Sequence, residues 1–385
     1  MSARRVAVFT SSRSDLAPLA PVIRGLDADP GVEMRVLISG THVSQSYGRT
    51  RREIDVPLPQ LMTLDTRVTD DDTPGATAGV VGRTTTTASR AFDRWRPDLL
   101  VVLGDRSELL GVAAAAVVHR VPLVHISGGE ITEGATDDAV RHAITKLAHL
   151  HCCACEEYAA RIRSMGEEPW RVHVTGDPAI DRLVHDTHPT RAELVKTLGV
   201  QWRTPVGLLT YHPPTLDPER LDAELDALLT ESDALPTVIA TYPGADPGAS
   251  RIIDALRARE QARDGFVVVE SLGRLFPTAL STVDVMLGNS SSGIVEAMSF
   301  SLPVVNVGDR QRGRLRGPNV LDASGDRPAL RGALARALDP GFRAGLRGAA
   351  NPYGDGKAAA RIVDAIVTAP LDQLLHKTFV EARER

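Results

Sequence analysis

Short runs of consecutive apolar residues alternate along the chain with longer segments whose apolar residues recur every three or four positions. In the first half the runs Val6–Thr10, Glu33–Ile38, Leu99–Leu103, Leu123–Ile126, Cys152–Ala154 and Val172–Thr175 have strand length, and segments 14–28, 106–119, 136–149 and 156–165 have helix length. Unbroken apolar runs, rather than strict alternation, predict strands covered on both faces, as in a parallel sheet flanked by helices. The stretch 178–204 turns polar around His185, Asp186, Thr187, His188 and Pro189, with a helix-like piece only near 190–198, and predicts an interdomain linker. A second set follows: strands Val206–Thr210, Thr237–Tyr242, Phe266–Glu270, Asp284–Leu287 and Pro303–Val307, with helices over 218–230, 248–260, 274–281 and 291–300. Segments 328–338 and 356–382 also read as helical.

The pattern predicts an α/β chain of two Rossmann-like domains, 1–186 and 187–365, with residues 366–385 as a C-terminal helix packing back on the first domain. Neither half carries a Walker motif or a G-x-G-x-x-G fingerprint. Composition agrees: 385 residues suffice for two or three domains, and 43% apolar with 24% charged residues fits a folded chain. Only 4% are aromatic, so the cores are built from small aliphatic side chains. A net charge of −5, without a block of five basic residues, argues against a nucleic-acid partner. No apolar stretch reaches the roughly 18 residues of a membrane span, and Met1-Ser2-Ala3-Arg4-Arg5 leads directly into a strand-length run, so a cytoplasmic protein is expected. The three cysteines, Cys152, Cys153 and Cys155, share one apolar segment and read as buried free thiols; no metal site and no cofactor is predicted. Of 44 basic residues only Lys146, Lys196, Lys357 and Lys377 are lysines, so a single arginine means little without a position to single it out.

Ligands of open parallel sheets lie beyond the carboxyl ends of the strands. The first half offers there Thr10-Ser11-Ser12-Arg13-Ser14-Asp15, Ser39-Gly40-Thr41-His42, Gly104-Asp105-Arg106 and Ser127-Gly128-Gly129-Glu130. The second offers Tyr211-His212-Pro213, Tyr242-Pro243-Gly244-Ala245-Asp246, Gly288-Asn289-Ser290-Ser291-Ser292-Gly293 and Gly308-Asp309-Arg310. Two such edges predict a polar cleft between the domains.

Small residues before a helix expose backbone N–H groups and hydroxyls, which hold a phosphate without a P-loop lysine, so Ser290, Ser291, Ser292 and Gly293 are candidates. An ordinary N-cap has the same composition. Glu296, one turn on, is either an acceptor for a ribose hydroxyl pair or a solvated carboxylate favoured by the helix dipole. Asp105, Glu130, Asp137 and Asp138 are carboxylates able to divide general acid and general base between them. One of Asp137 and Asp138 also suits an N-cap, and Asp105-Arg106 also reads as a structural ion pair. His212, held by Pro213-Pro214, is a proton carrier, a phosphate donor or simply structural, and His42 has the same ambiguity. Arg13, Arg106 and Arg310 gain weight from their strand-end positions, since guanidinium suits bidentate phosphate contact.

Taken together, Gly104-Asp105-Arg106, the run from Gly128 to Lys146, and Gly288 to Arg314 resemble the sugar-nucleotide 2-epimerases, specifically the hydrolysing branch that makes N-acetylmannosamine or di-N-acetylated relatives for sialic- and legionaminic-acid-like sugars. The resemblance extends from about residue 5 to about residue 365. It implies the glycosyltransferase-B type of fold, acid/base function at Asp105, Glu130 and one of Asp137 and Asp138, and His212 at the diphosphate or sugar. It further implies that Arg13, His42, Ser290, Ser291, Glu296 and Arg310 line the nucleotide and phosphate site. The chemistry it implies is loss of the C2 proton with the nucleoside diphosphate, giving a 2-acetamidoglycal, then water addition to a free sugar of opposite C2 configuration. A cleft enzyme of this architecture is expected to close by hinge motion near 178–204, and the resemblance implies a homodimer or homotetramer. Many members carry Glu two residues after the histidine matching His125, where this chain has Ser127; Gly244 stands for Asn and Ser301 for Gly, departures that bear on the sugar-side contacts.

The expected activity is hydrolysis and 2-epimerisation of UDP-N-acetylglucosamine or a di-N-acetylbacillosamine nucleotide. A non-hydrolysing 2-epimerase, a glycosyltransferase of the same fold and a non-catalytic sugar-nucleotide-binding protein are the alternatives.

Overall fold

A computed structural model describes residues 3–44, 60–66, 73–133, 135–214, 216–244 and 246–381; Gly134, Ala245 and residues 382–385 of the predicted tail lie outside them. The chain forms two compact units, each built on one parallel sheet. The first takes Met1–Glu130, Asp137–Arg182 and Tyr353–Arg385, the second Ile131–Thr136 and Leu183–Pro352.

The first unit runs β1 (Arg4–Thr10), α1 (Arg13–Ala28), β2 (Val32–Ile38), β3 (Leu61–Thr63), α2 (Pro74–Arg94), β4 (Leu99–Leu103), α3 (Glu108–Val118), β5 (Leu123–Ile126), α4 (Asp137–Leu147), β6 (Leu150–Cys153), α5 (Glu156–Ser164), β7 (Val172–Val174) and α6 (Pro178–His185). Its strand order is β3-β2-β1-β4-β5-β6-β7, so the order reverses between β1 and β4. In the second unit α7 (Arg191–Leu198), β8 (Val206–Thr210), α8 (Leu221–Glu231), β9 (Thr237–Thr241), α9 (Ala249–Ala262), β10 (Phe266–Val269), α10 (Phe276–Thr282), β11 (Val285–Gly288), α11 (Ser291–Val295), β12 (Val304–Val307), β13 (Val320–Ala323), α12 (Arg327–Ala337) and α13 (Pro340–Gly345) follow. The order there is β10-β9-β8-β11-β12-β13, reversing between β8 and β11. The chain ends with α14 (Ala358–Thr368) and α15 (Leu371–Leu374). Each sheet has an aliphatic core on both faces, which is why its strands read as unbroken apolar runs.

The structure departs from the sequence pattern at several places, each for a local reason. The polar stretch 178–204 carries two helices, α6 and α7; α7 begins with a reciprocal Thr190–Glu193 capping box and ends at left-handed Gly199. Residues 356–382 do not form one helix, because Pro370 lacks the N–H that would continue α14. Segment 353–365, predicted with the second domain, belongs to the first unit: Ala358, Ala359, Ile362, Ala365 and Ile366 are buried in the core under α1. Close approach requires Gly25 on α1, where a Cβ would lie 2.8 Å from a methyl of Val363. Helix α2 was hidden by its run Thr84-Thr85-Thr86-Thr87, β-branched residues that favour strands. Each of these hydroxyls donates to the carbonyl four residues back, at 2.7 to 3.1 Å, which lets the run sit in a helix. Among the described residues no helix is long and apolar enough to cross a membrane.

Candidate active site

The first candidate edge lies where the order of the first sheet reverses. At the end of β1, Asp15 folds back from the first turn of α1 and accepts the N–H groups of Ser11 and Ser12, both at 2.7 Å, as well as the Ser12 hydroxyl. This closes the loop around Arg13, the exposed first residue of α1. His42 is completely buried, its Nε2 2.9 Å from the Thr10 hydroxyl at the end of β1.

At the end of β4, Asp105 forms an ion pair with Arg141 of α4, a guanidinium only 1% exposed. The same Arg141 reaches Asp138 Oδ1 at 3.4 Å and donates to the Glu130 carbonyl at 3.3 Å. The carboxylates of Asp105 and Asp138 and the backbone of Glu130 are thus gathered around one buried cation. Asp137 is the first residue of α4, beside Asp138, with both carboxylates in the favourable first turn. Glu130 is 2% exposed. Asp138 also faces His142 Nε2 at 3.4 Å; burial nonetheless lowers the pKa of that imidazole. Arg106 pairs with Glu108 at 3.5 Å.

His125 beneath this edge is fully buried, and burial drives its pKa down to about 3. The neutral ring donates from Nε2 to the Gly104 carbonyl at 2.9 Å and accepts at Nδ1 from the Thr145 hydroxyl at 3.2 Å, pinning the turn that carries Asp105. Cys152 and Cys153 are buried free thiols, the second pushed up to about 12 by burial, so neither is a nucleophile.

The second candidate edge lies at the β8/β11 reversal. The Asn289 side chain accepts the His212 N–H at 2.7 Å and donates to the His212 carbonyl at 2.9 Å, clasping the ends of the two strands. Gly288 is required there, since a Cβ would fall 1.9 Å from the Thr210 carbonyl oxygen. His212 Nδ1 accepts the Gly244 N–H at 3.0 Å, so a neutral His212 carries its proton on Nε2 and offers it as a donor. Gly244 needs no special backbone: a Cβ there would find only ordinary contacts with Asp246 and His212.

Ser290 is the N-cap of α11, its hydroxyl accepting the Ser292 N–H at 3.3 Å, and Ser290, Ser291 and Ser292 remain partly exposed. Gly293 is buried, where a Cβ would meet Val304 at 2.9 Å; its smallness serves the packing of α11 on β12. Glu296 terminates the five-residue α11 instead of sitting inside a longer helix. Arg310, after β12, faces Asp246 at 3.7 Å with its side chain 12% exposed. Left-handed Ser301 compensates part of its backbone cost by donating its hydroxyl to the Leu346 carbonyl at 3.3 Å.

Arg141 and Asp15 were not singled out from sequence. A Ser12-x-x-Asp15 box was a legible signal for the latter. Arg141, by contrast, reads as a solvated helix position until its burial is seen.

The model of the UDP-N-acetylglucosamine 2-epimerase family matches residues 24–367. The chain is 32% identical to a GDP/UDP-N,N'-diacetylbacillosamine 2-epimerase (hydrolyzing) of Campylobacter jejuni, over 84% of this chain and 85% of that protein. It is 31% identical to a UDP-N,N'-diacetylbacillosamine 2-epimerase (hydrolyzing) of Legionella pneumophila, over 97% and 98%. A crystal structure of UDP-GlcNAc 2-epimerase from Neisseria meningitidis bound to UDP-GlcNAc has the same fold, with a TM-score of 0.79 at 17% identity over 94% of this chain and 99% of that one. Strand ends, carboxylate cluster, clasped histidine and full-length similarity agree, and the chain belongs to the UDP-N-acetylglucosamine 2-epimerase family.

Proposed function

We infer that this chain is a hydrolysing sugar-nucleotide 2-epimerase, acting on UDP-N-acetylglucosamine or a di-N-acetylbacillosamine nucleotide. The observation that carries the reading is the gathering of Asp105, Asp138 and the Glu130 backbone on buried Arg141, beside the strand-order reversal of the first sheet. The names of the Campylobacter and Legionella relatives support the hydrolysing type and the diacetylated sugar.

The reaction needs a base for the C2 proton, an acid that returns a proton to C2 from the other face, and donors for the departing diphosphate. Asp105, Glu130, Asp137 and Asp138 supply the carboxyl groups, with Arg141 keeping Asp105 and Asp138 in place. The Nε2–H of His212, the guanidinium groups of Arg13 and Arg310 and the Ser290–Ser292 loop supply the donors, and Glu296 an acceptor for the nucleotide ribose. The free sugar and the nucleoside diphosphate leave as separate products.

Purified protein incubated with either nucleotide sugar in deuterated water is expected to release nucleoside diphosphate and a free 2-epimeric sugar carrying deuterium at C2. A labelled but intact nucleotide sugar would instead identify a non-hydrolysing epimerase. Binding without turnover would leave a sugar-nucleotide sensor.

A further inference from the structure

Resting on the epimerase reading, we propose that Ser127 and Asp177 form a proton relay that activates the water adding to C1 of the glycal. Ser127 follows β5 at the carboxyl edge of the first sheet, one strand away from Asp105. The Gly104 N–H donates to the Ile126 carbonyl at 3.0 Å, and the Ser127 N–H to the Cys152 carbonyl at 2.9 Å. Ser127 is left-handed, with φ of 61°, a conformation glycine adopts freely and other residues at a cost. Two glycines follow it, and a third in its place would relax the turn, so Ser127→Gly removes the hydroxyl without straining the backbone.

That side chain reaches Asp177, which arrives from beyond β7. The Ser127 hydroxyl donates to Asp177 Oδ2 at 3.4 Å, and Asp177 is 8% exposed. Its other oxygen accepts the Ala179 N–H at 2.9 Å, so both carboxylate oxygens are held, and its backbone N–H donates to the Tyr353 carbonyl at 2.7 Å. With its hydrogen given to Asp177, Ser127 Oγ offers only lone pairs and acts as an acceptor. Glu130 lies three residues further along the same turn.

The step balances as follows. A carboxyl group of the Asp105, Glu130, Asp137 and Asp138 set gives its proton to C2, and the C1=C2 π pair becomes the new C–H bond. The water oxygen bonds to C1, its surplus proton passes to Ser127 Oγ, and the Ser127 hydroxyl proton passes to Asp177. Asp177 ends protonated and the donor carboxyl ionised; exchange with solvent restores both. Ser127 is the residue that touches the water, and Asp177 acts through it.

The test compares Ser127→Gly and Asp177→Asn with the parent enzyme, following nucleoside diphosphate, 2-acetamidoglycal and free sugar together by NMR. Ser127→Gly removes the hydroxyl while easing the backbone, which separates the relay from folding. Free-sugar formation is expected to fall at least about tenfold more than diphosphate release, with glycal accumulating. Equal losses in both products, or none, overturn the relay. An inactive parent enzyme overturns the relay together with the epimerase reading, whereas an active parent with parallel losses in the variants overturns the relay alone.

Discussion

Arg141 brings a buried positive charge to two carboxylates, and the behaviour expected of Asp105 follows from that arrangement. Asp105→Asn keeps the shape but leaves the guanidinium less compensated, while Glu130→Gln removes a proton carrier and keeps its volume. Each is expected to lower kcat by roughly two orders of magnitude with little change in nucleotide affinity, as steady-state kinetics and calorimetric titration would register; near-parent rates in both would remove them from the mechanism. His125 gives a pH signature. Its folded pKa of about 3 lies below the ordinary histidine value, so the unfolded chain binds the proton first. Its contribution is complete above about pH 6.5 and is lost as pH falls towards 3, amounting to about 2 kcal/mol by pH 5. Urea midpoints at pH 7.5 and pH 5 would show the drop, and equal midpoints would contradict it. The turns that carry Asp105 and Glu130 were legible in the sequence, because each follows an unbroken apolar run. Arg141 and Asp177 were not, since a charged residue on a helix or before one has the same local pattern whether it faces solvent or the interior.

Among the elements, α3 ends in a Schellman turn: the Val121 N–H returns to the Ala116 carbonyl at 2.8 Å and the Arg120 N–H to the Val117 carbonyl at 3.1 Å. That turn puts Arg120 at φ of 53°, where glycine is at ease. Arg120→Gly is expected to stabilise the first unit by about 1 kcal/mol, read as a higher denaturant midpoint at unchanged slope. A lower midpoint would mean that the Arg120 side chain holds something the turn does not reveal. Strands were the most legible elements, because burial on both faces leaves runs such as Leu99–Leu103 free of polar residues. Helix α2 was not, since its four threonines follow strand preference and only their back-bonding and packing on α3 resolve the conflict. Gly111 marks that packing: a Cβ there would lie 2.5 Å from the Val81 carbonyl oxygen. Short β3 and β13 include polar Thr63 and Asp322, so neither reads as an unbroken apolar run.

For the whole molecule, the two-sheet plan was readable from the alternation of runs, but the path of the chain was not. Burial of α14, set by contacts with residues more than 300 positions earlier, has no local signature. The tail beyond it is fixed by charge. Fully buried Arg171 donates to the carbonyls of Gln373, Leu374 and His376. Lys377 reaches buried Glu167, whose pKa burial would raise but which hydrogen bonds from His151, Lys146 and Lys377 hold down at about 2. Deleting residues from 371 onward leaves Arg171 and Glu167 short of partners and is expected to cost about 3 kcal/mol or more, measured by denaturation of the first unit; an unchanged midpoint would show the tail to be dispensable. The interruption of the first unit between Arg182 and Tyr353 has a consequence for synthesis. A ribosome adding about 5–20 residues per second needs roughly 10 to 35 s to travel from Arg182 to α14. Throughout that interval the second unit can fold as it emerges, while the nascent first sheet keeps an apolar face uncovered, making that face the natural holding point for a chaperone.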